Sequence, residues 1–168
     1  MDNFEQAFEQ IYSTYYRHVY SFLYKLCHDT RVAEDLTQET FYQAYRSFGR
    51  YNGECEMFTW LAAIAKKTFF KYLRQNRKES ILIDVYVTEP EAPLTDEPGY
   101  RLSKQVEIAE LRAAIAAMPK KYSDVLILRI YGELSYEEIA AKLGISVNSA
   151  KVIFHRAKKI IKEILLNE

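Results

Sequence analysis

The side chains in this sequence that could do chemistry are mainly cations, and the first group lies in residues 66–78. This run holds six basic residues, no acid and several aromatic rings, and Lys67, Lys71, Arg74 and Lys78 fall on one helical stripe. Cations attract phosphates, and aromatic rings are platforms on which unpaired bases stack. The run therefore predicts nucleic-acid binding. The alternative is a solvated helix face that covers buried Phe and Leu side chains.

The second group lies at and after residues 134–151, which have the pattern of a helix, a tight turn and a second helix. Ser135 and Glu138 have the spacing of a capping box at the start of the first helix. Gly144 suits the left-handed position that ends it, and Ser146 can cap the next helix. This pattern is typical of helix-turn-helix DNA readers, whose second helix enters the major groove. A plain helical hairpin on the surface is the alternative.

Other kinds of site find little support in the sequence. His18, His28 and His155 are far apart and have no metal-ligand spacing, and Cys27 and Cys55 form neither a metal motif nor a disulfide framework. There is no nucleophile elbow, phosphate-cradling glycine loop or pair of catalytic carboxylates. We expect no metal, no cofactor and no catalysis by this chain alone.

Composition favours long helices. The 168 residues are 49% apolar and include only five Gly and four Pro, which suits helices better than many short strands. No segment approaches the roughly 20 apolar residues that a membrane span needs, and the N-terminus lacks the features of a signal peptide. Together with the two cysteines, this predicts a cytoplasmic protein.

The zero net charge conceals an uneven distribution. Residues 1–79 sum to +1, residues 80–100 to −5 and residues 101–168 to +4. The acidic middle segment also holds Pro90, Pro93, Pro98 and Gly99, a composition typical of an extended linker. Within it, Ile81–Val87 could form a short strand, but no partner strand is evident.

Helical periodicity then gives the architecture. In the first half it predicts helices over residues 3–28, from Val32 to Phe48 and from Met57 to about Arg77. In the second half it predicts a helix that stops before Pro119, another from Ser123 to Tyr131, and the helix-turn-helix, whose second helix reaches about Leu166. The predicted fold is all-α, with two small helical domains joined by an acidic flexible linker: an N-terminal helical bundle at 1–79, the linker at 80–102 and a helix-turn-helix domain at 103–168.

Taken in order, several stretches resemble the extracytoplasmic-function (ECF) sigma factors, the small two-domain specificity subunits of bacterial RNA polymerase. They are Ala33-Glu34-Asp35-Leu36-Thr37-Gln38-Glu39-Thr40-Phe41, Phe58-Thr59-Trp60-Leu61-Ala62-Ala63-Ile64-Ala65, Tyr72-Leu73-Arg74, Met118-Pro119-Lys120-Lys121-Tyr122, Leu126-Ile127-Leu128-Arg129, Leu134-Ser135-Tyr136-Glu137-Glu138-Ile139-Ala140 and His155-Arg156-Ala157. Each stretch alone is weak evidence, but the ordered set covers nearly the whole chain.

The resemblance implies a role for each group of residues. The acidic helix would dock on the polymerase β′ coiled coil through Asp35, Leu36, Gln38, Glu39 and Phe41. The central loop and basic helix would melt and hold the promoter −10 element, with a flipped-out base captured near Asn52, through Tyr51, Asn52, Phe58, Trp60, Lys66, Lys67, Lys71, Arg74 and Arg77. The recognition helix would read the −35 element through Asn148, Ser149, Lys151, Val152, His155, Arg156 and Lys159.

The resemblance also implies the partners. These are the polymerase core (its β′ coiled coil and its β flap), promoter DNA and an anti-sigma factor, with no small-molecule substrate. A membrane-bound anti-sigma factor would hold the chain at the membrane. Two other hypotheses remain: a stand-alone helix-turn-helix regulator with a helical N-terminal domain, and a scaffold or inhibitor that uses its Tyr-rich helices only for protein contacts.

Overall fold

The computed structural model describes residues 3–76 and 98–166, with side chains in the second range described from Val106 onward. Every regular element in these two ranges is helical, which confirms the all-α prediction. The suggested strand at Ile81–Val87 and the predicted DNA contact Arg77 lie outside the described residues. No helix in the described ranges is long and apolar enough to cross a membrane.

Three helices build the N-terminal domain: α1 (Asn3–Cys27), α2 (Thr30–Ser47) and α3 (Met57–Asn76), with a short 3-10 turn at Phe48–Arg50. Helix α2 begins two residues earlier than Val32, because the Asp29 carboxylate accepts hydrogen bonds from the backbone N–H groups of Arg31 and Val32, at 2.9 and 3.0 Å. The three helices pack on one another around a core whose fully buried members include Val19, Phe22, Leu23, Leu61 and Phe69.

Four helices build the C-terminal domain: α4 (Pro98–Ala117), α5 (Lys120–Ile130), α6 (Tyr136–Leu143) and α7 (Val147–Leu166). Helix α4 begins at Pro98, so residues 98–102, which the sequence assigned to the linker, are helical; proline is compatible with the first turn of a helix. Helix α5 begins at Lys120 rather than Ser123, directly after Pro119.

The predicted helix-turn-helix is present, with the local bonds that its sequence called for. The Ser135 hydroxyl accepts from the Glu138 N–H at 3.1 Å, and the Glu138 carboxylate accepts from the Ser135 N–H at 2.7 Å. Gly144 ends α6 in the left-handed region, with φ of 66°. The Ser146 hydroxyl accepts from the Ser149 N–H at 3.0 Å at the start of α7. The capping predictions are confirmed.

The two domains also pack directly against each other. Helix α3 contacts both α5 and α6. Ala62 of α3 lies in one buried cluster with Val125, Leu128 and Ile139 of the C-terminal domain. A linker alone would not require this contact, and the sequence did not predict it.

Candidate nucleic-acid and protein interfaces

The recognition helix α7 presents its predicted contact residues on a solvent-exposed face. All seven are exposed, and they are Asn148, Ser149, Lys151, Val152, His155, Arg156 and Lys159. Ala150 and Ala157 are fully buried on the opposite side, where their small side chains allow the supporting helices to approach closely. The arrangement gives one outward face that carries four basic or imidazole side chains and can approach the major groove or its phosphates.

Helix α7 packs against α4, α5 and α6, and its contact with α6 includes the ring of Tyr136, the first residue of α6. The ring of Phe154 meets Tyr136 edge-on with centroids 5.9 Å apart. The Lys151 ammonium lies 5.9 Å from the centroid of the same Tyr136 ring. Because Lys151 and Phe154 both belong to α7, the two contacts orient the recognition helix against α6.

The basic helix α3 divides its cations between two sides. Lys67, Lys71 and Arg74 are exposed, as the predicted basic stripe requires. Lys66 is not on that surface: it is only 3% exposed and its ammonium lies 2.7 Å from Oδ1 of Asp124 in α5. Lys66 directly precedes Lys67, so its side chain points about 100° away from that of Lys67, and α5 of the C-terminal domain covers it. In this conformation Lys66 therefore does not face DNA, in contrast to the expected contact.

The loop between α2 and α3 is held in a defined shape by its own side chains. The Tyr51 hydroxyl donates to the Cys55 carbonyl at 2.5 Å, and the Asn52 side-chain oxygen accepts from the Glu54 N–H at 3.1 Å. Gly53 occupies the left-handed region, with φ of 75°. Burial raises the pKa of the Tyr51 hydroxyl, with smaller contributions from nearby Cys55 and Glu56. The hydroxyl is therefore a neutral donor over the physiological range.

The loop forms one wall of a groove of about 220 Å³ between the two domains. Its lining consists of Arg50, Tyr51, Asn52, Glu54, Cys55 and Trp60 from the N-terminal domain and Ala141 and Lys142 from α6. The Trp60 ring stands against Tyr51 with centroids 5.2 Å apart, while Phe58 packs against His18 at 6.0 Å. The groove thus brings together the predicted residues Tyr51, Asn52 and Trp60, and Phe58 lies apart from it in the packing.

The acidic helix α2 has an exposed polar face, but two of its five predicted docking residues are not on it. Asp35 and Gln38 are exposed, and Glu39 is half-buried with its carboxylate accepting from the Gln43 amide at 2.7 Å. Leu36 and Phe41 are buried in the core, 6% and 3% exposed. Their apolar side chains fix α2 from beneath, so neither faces outward in this structure, in contrast to the expected docking role.

Two tyrosines on α2 escaped the sequence prediction. Tyr42 is 57% exposed and Tyr45 is 43% exposed. Asp35, Gln38, Tyr42 and Tyr45 follow one another at steps of three, four and three residues, which places all four side chains on one helical stripe. The helical period could have revealed them. The prediction instead followed the family motif, which ends at Phe41.

Asp124 also escaped prediction. Asp124 is 6% exposed and lies beside the apolar run from Val125 to Leu128. Its carboxylate forms ion pairs with Lys66 and with the exposed Lys120, whose ammonium is 3.5 Å from Oδ2. The only signal in the sequence was that this acid directly precedes an apolar run, and that signal does not identify Lys66 as its partner. In the described part of the chain there is no cluster of three or more His, Cys, Asp or Glu that could hold a metal ion.

Comparison with known proteins gives matches to two family descriptions. Residues 11–79 match "Sigma-70 region 2" and residues 108–161 match "Sigma-70, region 4". RNA polymerase sigma factor YlaC of Bacillus subtilis (strain 168) is 33% identical over 158 residues, covering 94% of this chain and 91% of that protein. ECF RNA polymerase sigma factor SigM of the same organism is 31% identical over 157 residues, covering 93% of each.

A solved structure has the same fold. It is the sigma factor RpoE in complex with the anti-sigma factor NepR, from Bartonella quintana. The TM-score is 0.56 at 22% sequence identity, and the match covers 95% of this chain and 97% of that one. The likeness extends over both helical domains.

Proposed function

The chain belongs to the sigma-70 family, among its extracytoplasmic-function sigma factors, and is an alternative sigma factor that directs promoter-specific transcription; we propose that its two domains divide promoter recognition between them. The observation that carries this division is the position of the two exposed basic surfaces. One is on α3, within the region 2 match, and the other is on α7, within the region 4 match.

The C-terminal domain reads the duplex −35 element. Helix α7 has the length and the exposed face needed to lie in the major groove, as the second helix of a helix-turn-helix does. Asn148, Ser149 and Lys151 lie in its first turns, where base edges are usually contacted, and Arg156 and Lys159 lie farther along, where phosphates are within reach. His155 belongs to the same exposed face.

The N-terminal domain holds the melted −10 element. Lys67, Lys71 and Arg74 form a cationic track for the phosphates of a single strand. Tyr51, Asn52 and Trp60 line a groove at one end of α3, where a base that leaves the stack would find aromatic surface and an amide. This assignment would account for the rings and cations together.

The polymerase core binds the exposed stripe of α2. Asp35 and Gln38 supply its polar end, and Tyr42 and Tyr45 supply aromatic area of the kind that is enriched at protein interfaces. The four residues of the stripe carry the negative charge of Asp35, with the exposed Glu34 beside it, and no cation that would attract phosphate, so a protein surface such as the β′ coiled coil is a better partner than DNA. The β flap is the proposed partner of the C-terminal domain. Chemistry stays with the polymerase.

An anti-sigma factor completes the set of partners. The solved relative RpoE was captured with the anti-sigma factor NepR, and we extend that kind of partner to this chain. If its anti-sigma factor is membrane-bound, the chain is held at the membrane until release; if it is free, the chain remains in the cytoplasm.

Run-off transcription tests the proposal. Purified chain is added to core RNA polymerase on a library of promoter fragments from the source genome, with core alone as the control. Transcripts that start at defined positions only when the chain is present are the expected result. Tight binding of a dimer to symmetric DNA sites, with no effect on core, would instead establish the stand-alone regulator.

A further inference from the structure

The contact between the two domains buries part of the surface that the −10 element would use. Helix α3 meets α5 and α6 there, and Ala62 shares a buried cluster with Val125, Leu128 and Ile139. The contact is extensive enough to join apolar residues of both domains in another cluster, which contains Leu61 and Phe69 as well as Leu126 and Ile127.

A buried ion pair lies within this contact. The Lys66 ammonium is 2.7 Å from Oδ1 of Asp124, and the two side chains are only 4% and 8% exposed. Burial lowers the pKa of Lys66, and the hydrogen bond and charge of Asp124 act in the opposite direction. The Lys66 ammonium stays buried only while Asp124 lies beside it, since an unpaired buried charge is strongly destabilising.

Polar contacts at the rim join the same two domains. The Arg112 guanidinium of α4 donates to the carbonyl of Cys27 at the end of α1. Lys25 and Glu133 approach to 3.3 Å across the boundary. The Lys25–Glu133 pair is exposed and contributes little, so the Arg112 hydrogen bond and the buried Lys66–Asp124 pair are the specific polar contacts of the closed arrangement, and of these only Lys66–Asp124 joins two opposite charges.

The closed arrangement affects the two DNA-reading surfaces differently. Ala141 and Lys142 of α6 stand across the groove from Tyr51, Asn52 and Trp60, and Lys66 is covered by α5. The outward face of α7, with Val152 40% exposed and His155 and Arg156 exposed, stays open. Closure therefore covers Lys66 and places α6 across the loop groove, while Lys67, Lys71 and Arg74 and the −35 surface stay exposed.

We propose that Asp124 is an intramolecular stand-in for a DNA phosphate: it latches the two domains together through Lys66, and the −10 strand can bind fully only when the latch opens. This inference rests on the proposed function of α3. A carboxylate and a phosphate oxygen are both anionic acceptors for an ammonium group. Lys66 cannot bind Asp124 and a DNA phosphate at the same time, because α5 covers its ammonium group while it contacts Asp124.

Small-angle X-ray scattering of the full chain tests the latch without polymerase. Asp124→Ala leaves Lys66 buried without its partner and should expand the particle. Lys120→Ala removes the exposed second cation at Asp124 and should leave it compact. The double variant Lys66→Met/Asp124→Leu should also remain compact, since apolar residues commonly replace a buried ion pair without loss. Circular dichroism confirms that each variant keeps its helices.

DNA binding provides the second measurement. The probe is a single-stranded DNA of random sequence and about 12 nucleotides, within the range that one binding module covers. If closed molecules outnumber open ones about ten to one, Asp124→Ala should raise the affinity for this probe by about tenfold. Saturating the wild-type chain with the probe should expand it, whereas a duplex of the same length should bind α7 without expansion.

The outcomes separate the two proposals. A compact Asp124→Ala chain with unchanged affinity for the probe overturns the latch. If that variant fails to fold, a wild-type chain that stays compact when saturated with single-stranded DNA overturns it equally. Run-off transcription with the wild-type chain decides the proposed function independently, because the scattering comparison of the free variants involves neither polymerase nor a promoter.

Discussion

The guanidinium of Arg129 lies over the ring of Tyr136, 4.5 Å from its centroid, and donates a hydrogen bond to the carbonyl of Leu134 at 2.8 Å. Arg129 belongs to α5 and Tyr136 opens α6, so one side chain fixes the turn that leads into the helix-turn-helix. Lys151 and Phe154 of α7 contact the same ring. Tyr136 therefore joins three helices of the C-terminal domain.

Arg129→Ala should destabilise the C-terminal domain. It removes a charged hydrogen bond and a cation–π contact at a half-buried position, together worth about 2 kcal/mol of the free energy of unfolding. Urea denaturation measures the loss. The exposed Arg17→Ala on α1 is the control and should change stability by less than about 0.5 kcal/mol. Equal stability of the two variants would show that the Arg129 contacts contribute nothing.

The helix-turn-helix was predictable because its signals are local. Ser135, Glu138, Gly144 and Ser146 each act on backbone groups within a few residues, so type and spacing are enough to place the caps. The start of α5 was placed three residues late, since Pro119 was taken as a break while its carbonyl accepts from the Tyr122 N–H in the first turn.

The contact between the domains was not predictable in this way. Lys66 and Asp124 lie in different domains, and nothing near either residue identifies the other. The family motif on α2 also merged two faces: Leu36 and Phe41 lie on the buried side, while Asp35 and Gln38 are exposed. Helical periodicity separates these faces, whereas a motif written as a continuous string does not.

Arg156→Ala should weaken −35-dependent initiation while leaving core binding intact. Loss of one groove or phosphate contact costs on the order of 1–3 kcal/mol, and a lost phosphate contact would also reduce the salt dependence of DNA binding. Promoter binding by the chain with core polymerase, measured over a range of salt concentrations, checks both effects. Lys162→Ala removes an exposed cation farther along α7 and is the matched control. Arg156→Ala with reduced core association would refute the assignment of α7.

Asp35→Arg should reduce association with core polymerase by about tenfold or more, because it reverses a charge at the polar end of the proposed docking stripe. A pull-down with core polymerase measures retention. Glu9→Arg makes the same charge change at an exposed position of α1 and should bind core as the wild type does. Tyr42→Ala removes an exposed ring of the same stripe and should also weaken retention. Retention of Asp35→Arg equal to that of Glu9→Arg would remove this face from the docking surface.

The two cysteines should react with iodoacetamide at very different rates. Burial raises the pKa of both thiols, but Cys27 is only 5% exposed and donates to the Asp29 carbonyl at 3.4 Å, whereas Cys55 is half-buried in the groove wall. The thiolate is the reactive form, so the rates at both cysteines should keep rising with pH beyond the range usual for a thiol. In the folded chain the more exposed Cys55 should be modified first. Mass spectrometry of peptides follows each site.

Because Arg112 of the C-terminal domain contacts the Cys27 carbonyl, Asp124→Ala should speed modification of Cys27 in the folded chain, and Lys120→Ala should not. Equal rates at the two cysteines in the wild type would contradict the burial of Cys27.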